Sequence, residues 1–461
     1  GNAEQPHMRR TQSRESMSQR LSRVREAAKQ RKKERFTALF HLLTAEALEN
    51  AFLSLSRKAA AGVDGVRWKD YAENLKVNIA DLHRRLHQGS YRAQPGRRHY
   101  IPKADGKQRP LGIASLEDKI VQYALVKILN AVYENDFMGF SYGFRPGRSQ
   151  HNALDALATG LVRTNVNWVL DADISQFFDK VSHEWLIRFI EHRIGDQRVI
   201  RLIRKWLTAG TSEEGEWRAS EEGTPQGAVI SPLLANIYLH YVFDLWAHQW
   251  RRRHATGNVV MVRYADDIVI GFDKRIDAQC FRIAMQRRLK EFGLTVHPKK
   301  TRLMEFGRFA AENRASRGKG KPETFNFLGF THISGKDRSG RFMLIRKTRR
   351  DRMTATLKAI KDGLRKRWHY SIPEQGKWLR RVVQGYLNYH SVPGNYPMMR
   401  KFRIYVTDLW RRALRRRSQQ DDTTWTKANR LAAVWLPKVR VLHPWPVERF
   451  TARHPRQEPG A

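Results

Sequence analysis

Apolar residues recur along the chain with two different spacings, and each spacing predicts one type of secondary structure. Apolar positions three to four residues apart predict helices over residues 44–57, 71–88, 116–133, 183–209 and 277–292. Short, nearly continuous apolar runs predict strands at residues 167–170, 259–264, 268–272 and 324–331. Because helices and strands do not alternate one by one, the pattern predicts an α+β fold rather than a doubly wound sheet.

The pattern changes after about residue 343, where we expect the strands largely to stop. Helical spacing predicts three further helices, at residues 349–368, 377–389 and 398–417, and therefore a mostly helical basic domain. Near the N-terminus, residues 16–35 lack strong helix breakers and predict a polar helix, although a solvated or disordered arm has the same composition. Apolar residues on both sides of Asp105-Gly106 predict a hairpin over residues 100–113.

The charge of the chain indicates a polyanionic partner. Its 461 residues include 86 Lys and Arg against 45 Asp and Glu, a net charge of +41. Residues 341–461 hold 29 of the basic and 8 of the acidic side chains, so about half of the net charge lies in the last quarter. Because neutralised phosphates release counterions, such charge favours nucleic acid. A ribosomal-type or merely very soluble basic protein is the minor alternative.

Composition also excludes several classes of protein. A hydrophobic content of 41%, with 13 Trp, 14 Tyr and 21 Phe, excludes global disorder because these side chains can build real cores. The single cysteine, Cys280, excludes a disulfide framework and a cysteine-clustered zinc site. The longest apolar run, residues 228–239, is too short to cross a bilayer. We therefore expect no membrane contact and a reducing compartment.

Acidic residues stand at the ends of two predicted strands. Apolar runs on both sides of Tyr264-Ala265-Asp266-Asp267 predict a hairpin with carboxylates at its tip, where a hard cation such as Mg²⁺ would relieve their repulsion. An ordinary Asp-rich turn has the same four letters. A second apolar strand ends in carboxylates, so Asp171 or Asp173 requires a partner. Together the two strands predict the two-metal machinery of polymerase nucleotidyl transfer.

The order of the motifs resembles that of reverse transcriptases. Residues 173–179, 223–234, 264–267, 293–301 and 327–330 are similar to motifs A, B, C, D and E of that family. Residues 62–66, 100–112, 143–147, 385–389 and 443–450 resemble, more closely, the reverse transcriptase/maturase encoded by group II introns. The resemblance covers about residues 50–455. It implies a right-hand polymerase with fingers, an α+β palm built on an antiparallel sheet, and a helical thumb called maturase domain X.

The resemblance also implies roles for individual residues. Asp173, Asp266 and Asp267 would ligate two Mg²⁺ ions, for which Mn²⁺ can substitute, and Lys300 would protonate pyrophosphate, with Lys299 as its competitor. Phe178 would exclude a 2′-hydroxyl beneath the sugar, although core packing is the alternative and Phe177 fits that alternative better. The residues implied to contact the incoming dNTP are Arg97, Lys103, Arg109, Phe178 and Gln226. Those implied for template and primer are Gly227, Tyr264, Phe327, Leu328 and Gly329, and those for nucleic acid on the thumb are Arg365, Lys366, Arg367, Arg415, Arg416 and Arg417.

The domains implied are a basic N-terminal extension (1–49), fingers (50–160), a palm with interleaved fingers segments (161–340), the thumb (341–415) and a basic C-terminal nucleic-acid-binding segment (416–461). The function implied is RNA-directed DNA synthesis together with binding of a group II intron RNA to assist splicing and mobility. The partners are then intron RNA, an RNA template with its DNA primer, target DNA and dNTPs, in the bacterial cytoplasm or nucleoid.

Two other functions fit the same motifs. One is a splicing cofactor whose polymerase is dispensable, although an intact set of three aspartates favours the enzyme. The other is a host-adopted reverse transcriptase for DNA repair or phage defence. With a single cysteine, an HNH-type endonuclease with paired cysteines is not expected. The oligomeric state stays open.

Overall fold

The structure is a computed structural model that describes residues 16–102, 108–417 and 423–454. In this described part, the α-helices are α1 (Met17–Gln30), α2 (Ala45–Ser54), α3 (Trp68–Glu73), α4 (Leu75–His87), α5 (Leu116–Tyr133), α6 (Gln150–Arg163), α7 (Phe177–Lys180), α8 (His183–Glu191), α9 (Gln197–Thr208), α10 (Ser231–Leu239), α11 (Leu245–His254), α12 (Arg275–Glu291), α13 (Ala310–Ala315), α14 (Arg350–Lys366), α15 (Ile372–His390), α16 (Tyr396–Arg415), α17 (Trp425–Trp435) and α18 (Pro446–Arg453). The strands are β1 (Gly96–Pro102), β2 (Gln108–Ile113), β3 (Trp168–Asp173), β4 (Thr211–Glu213), β5 (Glu216–Arg218), β6 (Val259–Tyr264), β7 (Asp267–Phe272), β8 (Arg302–Glu305), β9 (Phe325–Phe327), β10 (Phe330–Lys336) and β11 (Phe342–Thr348). This mixture of helices with largely antiparallel sheets confirms the predicted α+β class.

Several predicted elements are divided in the structure. The helix predicted over 183–209 is wrong as a single element, because α8 and α9 are separated by a turn in which the Asp196 side chain caps α9 and Gly195 N–H donates to the Phe36 carbonyl at 2.8 Å. The prediction over 71–88 covers the end of α3 and all of α4. The strand predicted over 324–331 is likewise two strands, β9 and β10, and β11 carries strand structure beyond residue 343 to Thr348.

The N-terminal prediction is confirmed as a helix, although α1 ends at Gln30 and residues 31–35 lie outside it. Ser16 caps α1, and Ala28 is fully buried. Helix α1 packs against α5. This segment is therefore a packed helix rather than a solvated arm.

The chain divides into two compact units. The first comprises the described residues up to Ile101, together with Gln108–Met138 and Gln176–Val242. Its sheet has the strand order β2-β1-β4-β5, so the two strands of the hairpin predicted over 100–113 are confirmed as the neighbours β1 and β2, while its tip, residues 103–107, lies outside the described residues. Helix α5 runs through its core and buries most of its side chains, and α2 packs against it.

The second unit comprises Gly139–Ser175 and the described residues from Phe243 onward. Its main sheet has the order β6-β7-β3-β8, with every pair antiparallel. Val260 of β6 packs so closely on α6 that a Cβ on Gly160 would lie 2.4 Å from a Val260 methyl, and only glycine fits there. The residues of β6 and β7 are nearly all buried, which explains their unbroken apolar sequences.

The helices α14 to α17 share a second core within this unit, which includes Leu364, Leu379, Phe402 and Trp410. Helix α15 begins with a capping box between Ser371 and Glu374, a start signal visible in the sequence. Helix α17 packs against α15 and α16. No helix in the described ranges combines the length and the apolarity needed to span a bilayer. The predicted domain boundaries remain predictions.

Helix α18 packs against α6, to which it is joined by a buried ion pair. The Arg449 guanidinium donates to both carboxylate oxygens of Asp155, with Nη2 at 3.0 Å from Oδ1. Asp155 is buried, and Arg346 of β11 lies 3.9 Å from it. A single carboxylate thus joins α6, β11 and α18.

Candidate active site

The sheet of the second unit brings the two acidic segments together. Strands β3 and β7 are antiparallel neighbours, and their register sets Asp173 directly opposite Asp267. Ala265 and Asp266 form the two-residue turn between β6 and β7. The residues on either side of this turn, Tyr264 and Asp267, are paired with each other. Side chains opposite each other on neighbouring antiparallel strands have Cβ atoms about 5 Å apart. Carboxylates that are 93 positions apart in the sequence are therefore neighbours in the fold.

The turn that carries these carboxylates has an unusual backbone. Ala265 has a φ of 55°, in the left-handed region that residues other than glycine rarely occupy. Gly143 packs directly against it, because a Cβ on Gly143 would lie 2.3 Å from the Ala265 nitrogen. The segment 143–147 noted in the sequence is therefore packed against the carboxylate turn by way of a glycine.

The carboxylates raise one another's proton affinity. The surrounding protein displaces water from Asp267, and Asp266, Asp173 and Asp171 repel its negative charge, which together raise its pKa to about 7. The residue nevertheless keeps an exposed surface through which a cation can approach. Burial likewise raises the pKa of Asp171 to about 6, against the opposing effect of Arg302, which lies opposite it on β8.

One cation already lies at this cluster. The Lys300 ammonium donates to Asp173 Oδ2 at 2.8 Å, and this hydrogen bond raises the pKa of Lys300. The Lys300 side chain is 64% exposed, so it can leave the carboxylate without disturbing a core. Between the competing residues Lys299 and Lys300, the observed contact is with Lys300.

The donor set suits a hard divalent cation. In the described residues, no group of three or more Asp, Glu, His or Cys side chains is oriented so that it could hold a metal ion. The chemistry of the cluster nonetheless fits a cation. Asp171, Asp173 and Asp266 repel the negative charge of Asp267, and Lys300 offsets only part of this repulsion. Carboxylate oxygens are the ligands that Mg²⁺ and Mn²⁺ take. The side chains best placed to hold such an ion are Asp173 and Asp267 on opposite strands, with Asp266 beside them.

The residues expected beneath the nucleotide lie in the first unit. Phe177 is buried in the core, whereas its neighbour Phe178 is only partly buried, with their rings in edge contact at 5.3 Å. Gln226 Nε2 donates to Asp179 Oδ1 at 2.6 Å. This hydrogen bond, which the sequence does not predict, ties the loop of motif B to the helix that carries Phe178.

Gly227 and Gly223 allow that loop to pack closely. Both have positive φ values, and a Cβ on Gly227 would lie 3.0 Å from the Gly112 carbonyl oxygen. Thr224 N–H donates to the Phe178 carbonyl at 2.7 Å. The loop thus joins α7 to β2.

The three basic residues expected at the triphosphate are in different situations. Arg97 donates twice to the Ala61 carbonyl, at 2.8 and 3.0 Å, and is held beside the segment 62–66. Arg109 is exposed on β2. Lys103 lies outside the described residues. Arg97 therefore has a structural contact in addition to any contact with a nucleotide.

Four of the five residues expected at template and primer lie at the turn between β9 and β10 or beside the carboxylate turn, whereas Gly227 lies in the motif B loop of the first unit. Leu328 and Gly329 form the turn between β9 and β10, both with positive φ, and Tyr389 on α15 donates to the Leu328 carbonyl at 2.7 Å. Phe327 is buried, so its ring belongs to the core. Tyr264 is partly buried and lies 6.4 Å, ring to ring, from Phe144.

The basic residues predicted to bind nucleic acid on the thumb fall into two groups. Arg365, Lys366, Arg415 and Arg416 are exposed. Arg367 stacks on Trp378 at 4.3 Å, and Arg417 donates to the Tyr370 carbonyl. These last two side chains therefore make contacts within the helical region of α14 to α16.

Arg365 and Arg416 line a cavity of about 90 Å³ between α14 and α16. Lys361, Arg412 and Trp368 share its wall, and no acidic side chain lines it. Asp408, nearby on α16, is paired with Arg412 at 2.7 Å. Basic side chains beside a partly exposed aromatic ring suit contact with a phosphate and stacking on a base.

Comparison with known proteins identifies the family. Residues 101–332, half of the chain, match the model of the reverse transcriptase (RNA-dependent DNA polymerase) family. The chain is 43% identical to Protein YkfC of Escherichia coli over 206 residues, which is 44% of this chain and 54% of that protein. It is 37% identical to the group II intron-encoded protein LtrA of Lactococcus lactis over 223 residues, 48% of this chain and 37% of that protein.

A more distant relative is the mitochondrial nuclear intron maturase 2 of Arabidopsis thaliana, with 29% identity over 110 residues, 23% of this chain and 15% of that protein. The aligned parts thus span about half or less of the length of these relatives. The family match covers the carboxylate turn, motif B and both acidic strands. The chain therefore belongs to the reverse transcriptase family, among the relatives of proteins encoded by group II introns.

Proposed function

We propose that this protein is an RNA-directed DNA polymerase that also binds a group II intron RNA and assists its splicing and mobility. The observation that carries the polymerase half is the pairing of Asp173 with Asp267 across β3 and β7, with Asp266 in the adjoining turn. The intron half draws support from the names of the relatives and from the basic cavity on the thumb. Its substrates would be dNTPs, an RNA template with a DNA primer, and target DNA, in the bacterial cytoplasm or nucleoid.

In this proposal Asp173, Asp266 and Asp267 hold two Mg²⁺ ions, or Mn²⁺ in their place. When bound, such ions activate the primer 3′-hydroxyl and neutralise the departing pyrophosphate. Burial and the repulsion of the neighbouring aspartates raise the pKa of Asp267, and a bound cation would stabilise its charged form. The cluster therefore gains in stability when it is loaded.

Other side chains of the chain supply positioning and a proton. Lys300 remains charged while it contacts Asp173, and an exposed ammonium can turn toward the leaving phosphate and protonate it. Phe178 lies beneath the sugar in this proposal, and the hydrogen bond between Gln226 and Asp179 holds the motif B loop near the same ring. Arg109 and Lys103 bind the triphosphate.

Splicing assistance requires a different part of the protein. A group II intron catalyses its own splicing, so a protein that binds the active RNA conformation more tightly than the others shifts the population toward it. The basic side chains around the cavity between α14 and α16 would bind RNA phosphates, and the partly exposed Trp368 would stack on an unpaired base. Binding the intron RNA in this way does not require the carboxylates of the sheet.

The test separates the two activities in one protein preparation. Asp266→Ala/Asp267→Ala should abolish primer extension on an RNA template but still promote splicing of the cognate precursor at near-physiological Mg²⁺. Arg365→Ala/Arg416→Ala should weaken intron binding and splicing. As a matched control, Arg282→Ala/Arg287→Ala removes the same charge from exposed positions on α12 and should leave splicing unchanged.

The measurements are splicing of a labelled precursor and primer extension, with circular dichroism to confirm folding. If the double aspartate variant folds normally and yet fails to splice, the separation of activities is wrong. If the wild-type protein extends primers but does not promote splicing of any intron beside its gene, the proposed role in splicing is wrong. A host-adopted polymerase is then the better interpretation. A wild-type protein that splices but never extends primers would instead be a splicing cofactor.

A further inference from the structure

A fully buried ion pair lies directly behind the carboxylate turn. Arg263, the last residue before Tyr264, and Asp244 have side chains that are 1% and 0% exposed. Arg263 Nε and Nη2 lie 2.7 and 2.5 Å from the two oxygens of Asp244, a two-pronged contact. Taking two charges out of water is unfavourable, and well-packed apolar residues often serve stability equally well. Because Arg263 lies in a strand that is otherwise apolar, we expect this ion pair to have a role other than stabilisation.

The rest of the guanidinium reaches the turn itself. Arg263 Nη1 donates to the Ala265 carbonyl at 2.9 Å, and Nη2 also donates to Ser141 Oγ at 2.7 Å. Ala265 is the residue with the left-handed backbone, and the peptide group that accepts this hydrogen bond is the one that leads into Asp266. The side chain thus fixes a backbone conformation that an alanine does not adopt by preference.

Backbone contacts fix the same region from a second direction. Arg263 N–H donates to the Phe140 carbonyl and Tyr142 N–H donates to the Arg263 carbonyl, each at 2.9 Å. These bonds join residues 140–142 to the end of β6, where Gly143 already meets Ala265. The turn is therefore held by one guanidinium, one neighbouring backbone segment and one close glycine.

We propose that Arg263 is a positioning residue for the polymerase reaction. By holding the Ala265 peptide in its left-handed conformation, it sets the direction in which Asp266 and Asp267 present their carboxylates to divalent cations. Asp244 and Ser141 orient the guanidinium for that purpose. This inference rests on the proposed nucleotidyl transfer and adds to it a buried group that touches neither metal nor nucleotide.

The geometry requires a guanidinium rather than a positive charge alone. Asp244, Ser141 and the Ala265 carbonyl lie in different directions around one planar group, which a fork of five N–H donors can satisfy together. A lysine at this position keeps the charge but cannot keep all of these contacts. Arg263→Lys is therefore the informative substitution.

A second buried ion pair provides the matched control. In the first unit, Arg193 pairs with Asp136 at 2.7 Å and donates to the carbonyls of Arg31, Glu34 and Ala28. Its chemistry is similar, a buried guanidinium that donates to one carboxylate and to further oxygen atoms, but the backbone that it holds carries no candidate ligand. Arg193→Lys should therefore report on stability alone.

The experiment measures Mn²⁺ binding by electron paramagnetic resonance, together with the Mg²⁺ dependence of primer extension and the melting temperature. We expect Arg263→Lys to fold, to bind Mn²⁺ about tenfold more weakly, and to lower kcat about tenfold to 100-fold with little change in the KM for dNTP, as loss of a supporting residue behind metal ligands does. We expect Arg193→Lys to lower the melting temperature without changing the affinity for Mn²⁺ or the Mg²⁺ dependence.

The positioning role is overturned if Arg263→Lys lowers only the melting temperature, as the control does. If Arg263→Lys does not fold, Ser141→Ala decides, because it removes one hydrogen bond and leaves the ion pair. Ser141→Ala should weaken Mn²⁺ binding about twofold to threefold, and an unchanged affinity refutes the role. If the wild-type protein never extends a primer while Arg263→Lys still weakens Mn²⁺ binding, the positioning role stands and the proposed polymerase function falls.

Discussion

Replacement of Gly143 by alanine tests whether the carboxylate turn must be held where it is. The added Cβ would lie 2.3 Å from the Ala265 nitrogen and 3.0 Å from the Tyr264 carbonyl carbon, whereas ordinary contact begins at 3.4 Å. Both neighbours are backbone atoms, so no flexible side chain can move aside. The turn or the 143–147 segment must therefore shift by about 1 Å to remove the overlap, at a strain of about 1–3 kcal/mol.

A displacement of that size at a reacting centre lowers a rate by about 100-fold, or about 2.7 kcal/mol in activation free energy. The assay is single-turnover incorporation of one dNTP at saturating Mg²⁺, with the melting temperature measured on the same preparation. Gly139→Ala is the control, because a Cβ there has nothing within 4 Å and the residue belongs to the same segment. Incorporation by Gly143→Ala at the wild-type rate, with an unchanged melting temperature, would refute the reasoning.

Four further outcomes are expected. Lys300→Met should slow incorporation by about 100-fold because it removes the general acid, whereas Lys299→Met should leave the rate unchanged. Single-turnover rates measure both variants, and equal effects would contradict the assignment. Phe178→Val should lower the discrimination between dNTP and rNTP, measured as the ratio of kcat/KM, and an unchanged ratio would make Phe178 a core residue only. Arg415→Ala/Arg416→Ala should flatten the dependence of log K on log salt by up to about two units, measured by filter binding, and an unchanged slope would mean that both face solvent. Burial and the neighbouring Arg346 lower the pKa of His332 from 6.5 to about 3. As the pH falls, this histidine therefore becomes protonated in the unfolded chain before it does in the folded protein. The free energy of unfolding consequently decreases below pH 6.5, by about 2 kcal/mol at pH 5. His332→Gln should remove that loss in urea unfolding at pH 5 and pH 8, and a variant with the wild-type pH dependence would contradict it.

The carboxylate hairpin could be predicted from the sequence because local pattern determines it. Unbroken apolar runs on both sides of Ala265-Asp266 specify two buried strands and a tight turn, and the structure has β6 and β7 at those positions. The pairing of Asp173 with Asp267 followed from the resemblance to a family, since no local pattern states which strands are neighbours. Asp171 lies two residues before Asp173, on the same face of β3, and strand periodicity alone would have placed it near the cluster.

Other features depend on contacts that no pattern reveals. The break between α8 and α9 is stabilised by Phe36, more than 150 residues earlier in the chain. Arg263 could have been noticed as a charge within an apolar strand that needs a partner. Its partner, Asp244, lies in a helical segment at no regular spacing from it, so only the structure identifies the pair. The hydrogen bond between Gln226 and Asp179 is hidden for the same reason.

The ion pair between Asp155 and Arg449 has a consequence for how the protein is made. Asp155 and Arg449 are 294 positions apart, and the apolar core beneath α6 includes residues from Tyr142 to Val392. On the ribosome, a further 294 residues must therefore be synthesised after Asp155 before Arg449 exists, and closing so long a loop slows assembly. Until then Asp155 lacks the two-pronged contact with Arg449, and the surface of α6 that α18 covers is exposed. Chaperone binding to stalled nascent chains should accordingly persist until Arg449 has left the exit tunnel.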